Sequence, residues 1–218
     1  MKKVLAVLLL LSLCTASLTA QEKRSHNLTL HQLYGVHYLN RIREYEGNTG
    51  YDDFSDSINY WGAGGTVFAG FGPLGAYTQT AFFIPTGHSY DPESPLGKQQ
   101  YTSFRIGMDS LSGLGLAVEI TPELGFLLGA GIHWDLSFMY KDPYYGREGS
   151  EPSLTFDLGL GSGADIYVMA SDTVSLYFGA MVAWDFLVLQ GNSFLNQNWE
   201  KGTHWIYGFN GGLGFKLK

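Results

Sequence analysis

The residues best suited to chemistry in this chain are acidic. Asp109, Asp135, Asp157 and Asp185 follow one another through its second half, with His133 just before Asp135 and Arg105 just before Asp109. Compact turns at 121–123 and 171–173 would fold the flanking segments into antiparallel pairs. Asp109 then falls opposite Asp135, the longer link after residue 140 brings Asp157 close to Asp135, and Asp185 lies diagonal to Asp157. Four carboxylates in such a row, with His133 beside them and Arg105 above, cannot all stay ionised without compensation. One reading is a cation or proton site, or a cation-selective constriction. The other is a polar interior network neutralised by Arg105, His37, the loop residues Arg41 and Arg43 folding inward, water and partial protonation.

Other chemistries fit less well. His133, Asp135 and Ser137 share one face of a strand, but alternate residues there are roughly 6.5–7 Å apart, too far for a hydrogen-bonded catalytic relay. The six histidines, His26, His31, His37, His88, His133 and His204, lack the converging spacing of a zinc site, so no metal is expected. Gly62-Ala63-Gly64-Gly65 and Gly159-Leu160-Gly161-Ser162-Gly163 have nucleotide-like spacing without a following helix to supply the phosphate cradle. No cofactor is expected. The one cysteine, Cys14, lies in the leader discussed below, so the mature chain has no disulfide and no thiol nucleophile. Aromatics on the polar segments, Tyr45, Tyr51, Phe54, Tyr90, Tyr144, Tyr145, Phe194 and Trp199, stand among acids. They can anchor partners or cap the mouth of the fold.

The elements that must position these groups are strands. Gly72-Pro73-Leu74, Thr121-Pro122-Glu123 and Ser171-Asp172-Thr173 are compact turn signals. They alternate with longer polar stretches at 40–57, 86–100, 141–153 and 191–202. Eight strands result, at about 26–39, 58–71, 75–85, 101–120, 124–140, 154–170, 174–190 and 203–217. Period-two alternation supports them. Leu124, Phe126, Leu128, Ala130, Ile132, Trp134, Leu136 and Phe138 oppose Gly125, Gly129, Gly131, His133, Asp135 and Ser137. The seventh strand sets Val174 through Val188 at even positions against Ser175, Tyr177, Gly179, Ala183 and Asp185. The last sets Trp205, Tyr207, Phe209, Leu213, Phe215 and Leu217 against His204, Gly208, Asn210, Gly212, Gly214 and Lys216. A composition of 29 Gly, 14 Tyr, 14 Phe and 5 Trp with only 15% charged residues agrees with strands and turns.

The polar faces are poor in Lys, Glu and Thr, as a water-facing surface would not be, and their glycines suit a crowded lumen. The apolar faces are therefore expected to meet lipid, and the soluble sandwich or barrel is the lesser alternative. No apolar run after residue 20 is long enough for a membrane helix, and without helices only a closed barrel satisfies its backbone in lipid. Tyr34, Tyr38, Tyr60, Trp61, Phe71, Trp134, Phe138, Tyr140, Trp184, Phe186, Trp205 and Tyr207 are candidates for interfacial girdles. At the N-terminus, Lys2-Lys3, an apolar run from Val4 to Leu13 and small residues up to Ala20 have the form of a secretory signal peptide. Cleavage is expected after Ala20, with Ala16 as the alternative, leaving 21–218 as one barrel domain. Losing two lysines and no acids takes the net charge from −7 to −9, which argues against nucleic acid as a partner.

With these strands and turns the chain resembles the small eight-stranded outer-membrane barrels, the group of the OmpA transmembrane domain and the OmpX and OmpW types. The likeness spans residues 26–218 and is one of architecture. It implies an all-β antiparallel up-and-down barrel with short periplasmic turns and long extracellular loops, monomeric in the bacterial outer membrane. The implied partners are the lipid bilayer and the barrel-assembly machinery, which reads an aromatic near the end of the last strand. Here Tyr207, Phe209, Phe215 and Leu217 alternate before Lys218. Functions in the group range over envelope anchoring, adhesion, narrow channels and lipid modification, and architecture does not choose among them. The first expectation is a non-enzymatic surface protein that meets host or envelope ligands through its loops. A narrow cation channel through an acidic lumen is the alternative, and a lipid-modifying enzyme a third option.

Overall fold

The computed structural model describes residues 28–45, 54–90, 104–140, 153–191 and 202–217, with only the backbone at the strand ends that border the remaining segments. The expected leader and the aromatics Tyr51, Tyr144, Tyr145, Phe194 and Trp199 lie outside these residues. Eight strands follow in order: β1 (Leu28–Tyr45), β2 (Phe54–Phe71), β3 (Leu74–Tyr90), β4 (Phe104–Glu119), β5 (Leu124–Tyr140), β6 (Ser153–Met169), β7 (Val174–Gly191) and β8 (Gly202–Leu217). Each pairs antiparallel with its neighbour in sequence, and β1 closes the circle on β8. Closure leaves no unpaired sheet edge, which is the condition for strands to exist in hydrocarbon.

The three short links are built from the residues that signal them. Gly72 takes a φ of 75° ahead of Pro73, a left-handed conformation that glycine adopts without penalty. The other two share one wiring. Thr121 Oγ1 accepts from the backbone N–H of Glu123 and Leu124, and Ser171 Oγ accepts from Thr173 and Val174 in the same way.

The apolar faces point outward. Val36, Phe82, Leu114, Ile132, Leu160, Phe178, Phe209 and Leu213 are all exposed, Leu114 at 81%. The polar alternates point in, and His133, Asp135, Asp157, Asp165, Asp185 and His204 have no exposed surface at all. A fold inverted in this way is stable only with lipid against its outer wall.

Three expectations need correction. First, β1, β2 and β3 run further than polarity suggested, so Tyr45, Phe54 and Tyr90 are strand residues rather than loop residues, and Arg41 stands on β1. Asn40, Arg41 and Ser57 read as loop because they are polar, yet they continue the ladder opposite Asn59, Ile58 and Ile42. Second, Tyr60 is not a girdle residue. Trp61 faces out, so its neighbour must face in, where Tyr60 stacks on Phe83 with ring centroids 4.4 Å apart. Third, Val188 is buried rather than lipid-facing. The β6–β7 ladder slips between Leu158 and Gly159, leaving an extra residue on β7, so Phe186 and Leu187 both face out and the alternation reverses beyond them. A second irregularity, in the β2–β3 ladder, sits beside Pro85, which has no N–H to give.

The lumen is packed with apolar as well as polar side chains. Leu33, Phe68, Tyr77, Leu111, Ala117, Leu127, Tyr167 and Tyr177 form one cluster, and Leu39, Ile58, Tyr60, Phe83, Met181, Ala183 and Ile206 a second. The Tyr77 ring lies across Gly129, where any Cβ would collide with it. Gly129→Leu should therefore displace that ring and destabilise the barrel by about 2 kcal/mol. Urea unfolding in lipid vesicles measures this, and an unchanged midpoint would refute the packing described.

Candidate functional site

The acidic residues are brought to one level by strand register. Asp109 pairs with Asp135 across β4–β5, Asp135 with Asp157 across β5–β6, and Asp185 faces Gly159, one step along β6 from Asp157 on the same inward face. Adjacent carboxylates across a ladder repel, and what holds them lies on the opposite wall. Arg41, from β1, reaches across the lumen with its Nη2 2.7 Å from Asp135 and its Nη1 2.8 Å from Asp157. One guanidinium thus bridges the two facing carboxylates, as its planar fork allows. His204 on β8 places Nδ1 2.8 Å from the same Asp157 oxygen that Arg41 contacts.

His133 organises the other half. Its Nε2 is 2.8 Å from Asp109 and its Nδ1 is 2.7 Å from Asp185. A neutral imidazole carries one N–H, so two hydrogen bonds to carboxylate oxygens require two protons within this unit. They are held either as an imidazolium or as a neutral ring facing one carboxylic acid. Seven side chains from six strands form the two halves, and none has more than 3% of its surface exposed.

Of the residues singled out from sequence, Asp109, His133, Asp135, Asp157 and Asp185 are brought together. Arg105 pairs through its backbone with Met139, at the end of β4 away from the short turns, and its side chain is outside the described atoms. Among the described side chains the guanidinium inside the network is that of Arg41, which acts from a strand and not from a loop. His37 is buried on the same inward face of β1. Sequence reasoning missed Asp165, which shares the inward parity of Asp157 on β6. It accepts from Tyr77 Oη at 2.9 Å and from Asn210 Nδ2 at 3.2 Å. It also missed the ion pair of Lys216 on β8 with Glu119 on β4, which spans the lumen at the turn end.

Chemically, the arrangement is neutralising rather than reactive. Both nitrogens of His133 are occupied by carboxylates, so neither is free to take a proton from a hydroxyl, as general-base catalysis requires. Among the described residues, no group of three or more His, Cys, Asp and Glu side chains could hold a metal ion.

No protein-family model matches the sequence, and no curated protein matches it. Solved structures match in shape. The outer membrane protein OprG from Pseudomonas aeruginosa aligns over 87% of this chain and 95% of its own, with a TM-score of 0.55 and 12% identity. The outer membrane protein AlkL, solved in DMPC lipid bilayers, aligns over 90% and 94%, with a TM-score of 0.56 and 9% identity. This chain shares their fold, and its outward apolar wall makes the same demand for lipid. It is an eight-stranded β-barrel of the bacterial outer-membrane type.

Arg41→Gln should leave Asp135 and Asp157 facing each other without their cation and cost about 3–5 kcal/mol. Adding Asp135→Asn removes the repulsion and should restore a substantial part of that loss. Urea midpoints of the single and double variants in vesicles test this, and purely additive losses would show that the bridge does not couple them.

Proposed function

We propose that this protein is a non-enzymatic surface barrel of the outer membrane whose working parts are its loops and outer wall rather than its lumen. The observation that carries the reading is the Arg41 bridge. Asp135 and Asp157, which would line an ion path, are already paired with Arg41 and have no exposed surface. A selective pore needs sites that ions can enter and leave, and these are occupied by the chain's own cation. On this reading the polar segments between β1 and β2, β3 and β4, β5 and β6, and β7 and β8 meet host or envelope ligands. Their aromatics, among them Tyr51, Tyr144, Tyr145 and Trp199, supply the contacts. Residues 1–20 serve as the export signal.

One observation favours a cation channel as the second reading: among the described side chains, four carboxylates share the level with one guanidinium. Planar-bilayer recording of the refolded protein separates the two. The surface reading expects no steady ion-selective current from the parent chain. A cation-selective current that Asp135→Asn diminishes would replace it with the channel. For the loops, bacteria displaying the whole chain are compared with bacteria displaying a chain in which 91–103 and 141–152 are shortened to Asn-Gly turns. Retention on host-cell monolayers should fall while heat-modifiable migration persists, and equal retention would overturn the role given to these loops.

A further inference from the structure

The outer wall carries a feature that a merely greasy surface does not need. A groove of about 580 Å³ opens to the lipid side, lined by Val36, Tyr38, Trp61, Phe178, Phe209, Asn210 and Gly211. That volume lies within the range of small-ligand sites. Its floor is Gly211, the outward residue of β8 that pairs with Val36 on β1 and Phe178 on β7. Two aromatic walls stand beside it. Tyr38 and Trp61 pack with ring centroids 5.1 Å apart, and Phe178 and Phe209 stack at 6.2 Å.

Gly211 is not glycine for lack of room. A Cβ there would meet its nearest neighbours at 3.4 and 3.7 Å, ordinary contact distances, whereas one at Gly212, its neighbour in β8, would collide with the backbone of β1. The barrel tolerates a side chain at 211, and the groove exists because none is present.

Depth and rim chemistry say what fills it. A tilted strand crosses hydrocarbon in about 9–11 residues, so a crossing that starts near Leu28 ends near Tyr38. Phe178 lies only four residues into β7 and Phe209 eight residues from Leu217, so the groove climbs from below mid-bilayer into the half away from the short turns, where Tyr38 and Trp61 stand. Just beyond it lies a part-buried polar cluster on the outward parity of β1 and β2: Tyr38 Oη donates to Asn59 at 2.7 Å, and Asn40, itself 5% exposed, donates from Nδ2 to Ser57 at 2.8 Å. Among the described outward side chains of β1, β2, β7 and β8 there is no charge. A second protein copy is a poorer occupant, because seven residues line the groove where a stable interface uses about 20–30 a side.

We infer that the groove over Gly211 holds one acyl chain of an outer-leaflet glycolipid, whose uncharged sugar head hydrogen-bonds to the Tyr38, Asn40, Ser57 and Asn59 cluster. A flexible chain fits a trough between aromatic walls, and amide and hydroxyl groups match sugar hydroxyls without needing a phosphate.

The test uses the full mature chain refolded in vesicles of phosphatidylcholine, with or without monogalactosyl diacylglycerol, and released for native mass spectrometry. The parent should retain one lipid and prefer the galactolipid. Gly211→Leu fills the groove and should lower retention about tenfold, while Ala130→Leu, the same change in bulk on outward β5, should not. Asn40→Ala with Asn59→Ala should keep the chain and lose the galactolipid preference. A galactolipid carrying a diazirine near its chain end should label the unmodified protein chiefly at Val36, Phe178 and Phe209, independently of whether any variant folds. Equal retention by Gly211→Leu and the parent, or labelling spread evenly around the barrel, would overturn the site. Equal retention of both lipids by the parent would overturn the glycolipid, and a parent dimer that Gly211→Leu converts to monomer would make the groove a self-association surface instead.

Discussion

Arg41 stands between Asp135 and Asp157 with none of its surface exposed, and much of the interior follows from that contact. Eight strands close on a lumen just wide enough for side chains to fill. Any charge placed there must find its partner among other side chains. The ladder hydrogen bonds tie each strand only to its neighbours, whereas Arg41 joins β1 to β5 and β6, His133 joins β5 to β7, and His204 joins β8 to β6. The network braces the barrel across its diameter in directions that the sheet cannot.

The same constraint explains why the interior mixes chemistries. Tyr77 illustrates it: the ring packs in an apolar cluster and over Gly129, while its hydroxyl donates to Asp165. A narrow lumen has no separate greasy and polar compartments, so amphipathic side chains with one polar tip serve both. Lys216 does likewise at the turn end, where it pairs with Glu119 from across the barrel.

Much of the fold was legible because the relevant signals are local. Period-two alternation marks β5, β7 and β8 residue by residue, and the proline, serine and threonine turns mark where the chain reverses. The facing of Asp109 and Asp135 followed from counting outward from the turn at 121–123. What was not legible depended on partners distant in sequence. Arg41 reads as a loop residue among Asn40, Arg43 and Glu44, and only the lumen opposite makes it a strand residue. Val188 reads as outward because a bulge leaves no signature in β7 itself; the slip belongs to the β6–β7 pair. Tyr60 could have been assigned, since Trp61 beside it already claimed the outward side.

The buried charges also do something that an apolar lumen would not. A one-residue slip of a strand would turn its inward side chains, the carboxylates of β4 to β7 among them, into hydrocarbon, so single slips are forbidden by either kind of interior. A two-residue slip preserves both faces. On the outer wall it exchanges one large apolar residue for another, Leu124 for Phe126 or Leu176 for Phe178, and lipid cannot tell the difference. Inside, the same slip carries Asp135 out of reach of Arg41, or His133 away from Asp109 and Asp185, and leaves buried charges unpaired. Replacing such a network by packed apolar residues is often neutral or stabilising for the correct fold, but it would lower the energy of the slipped ones equally. The clustering of the costly residues at one level, drawn from six strands at once, penalises such a slip in each of those six together.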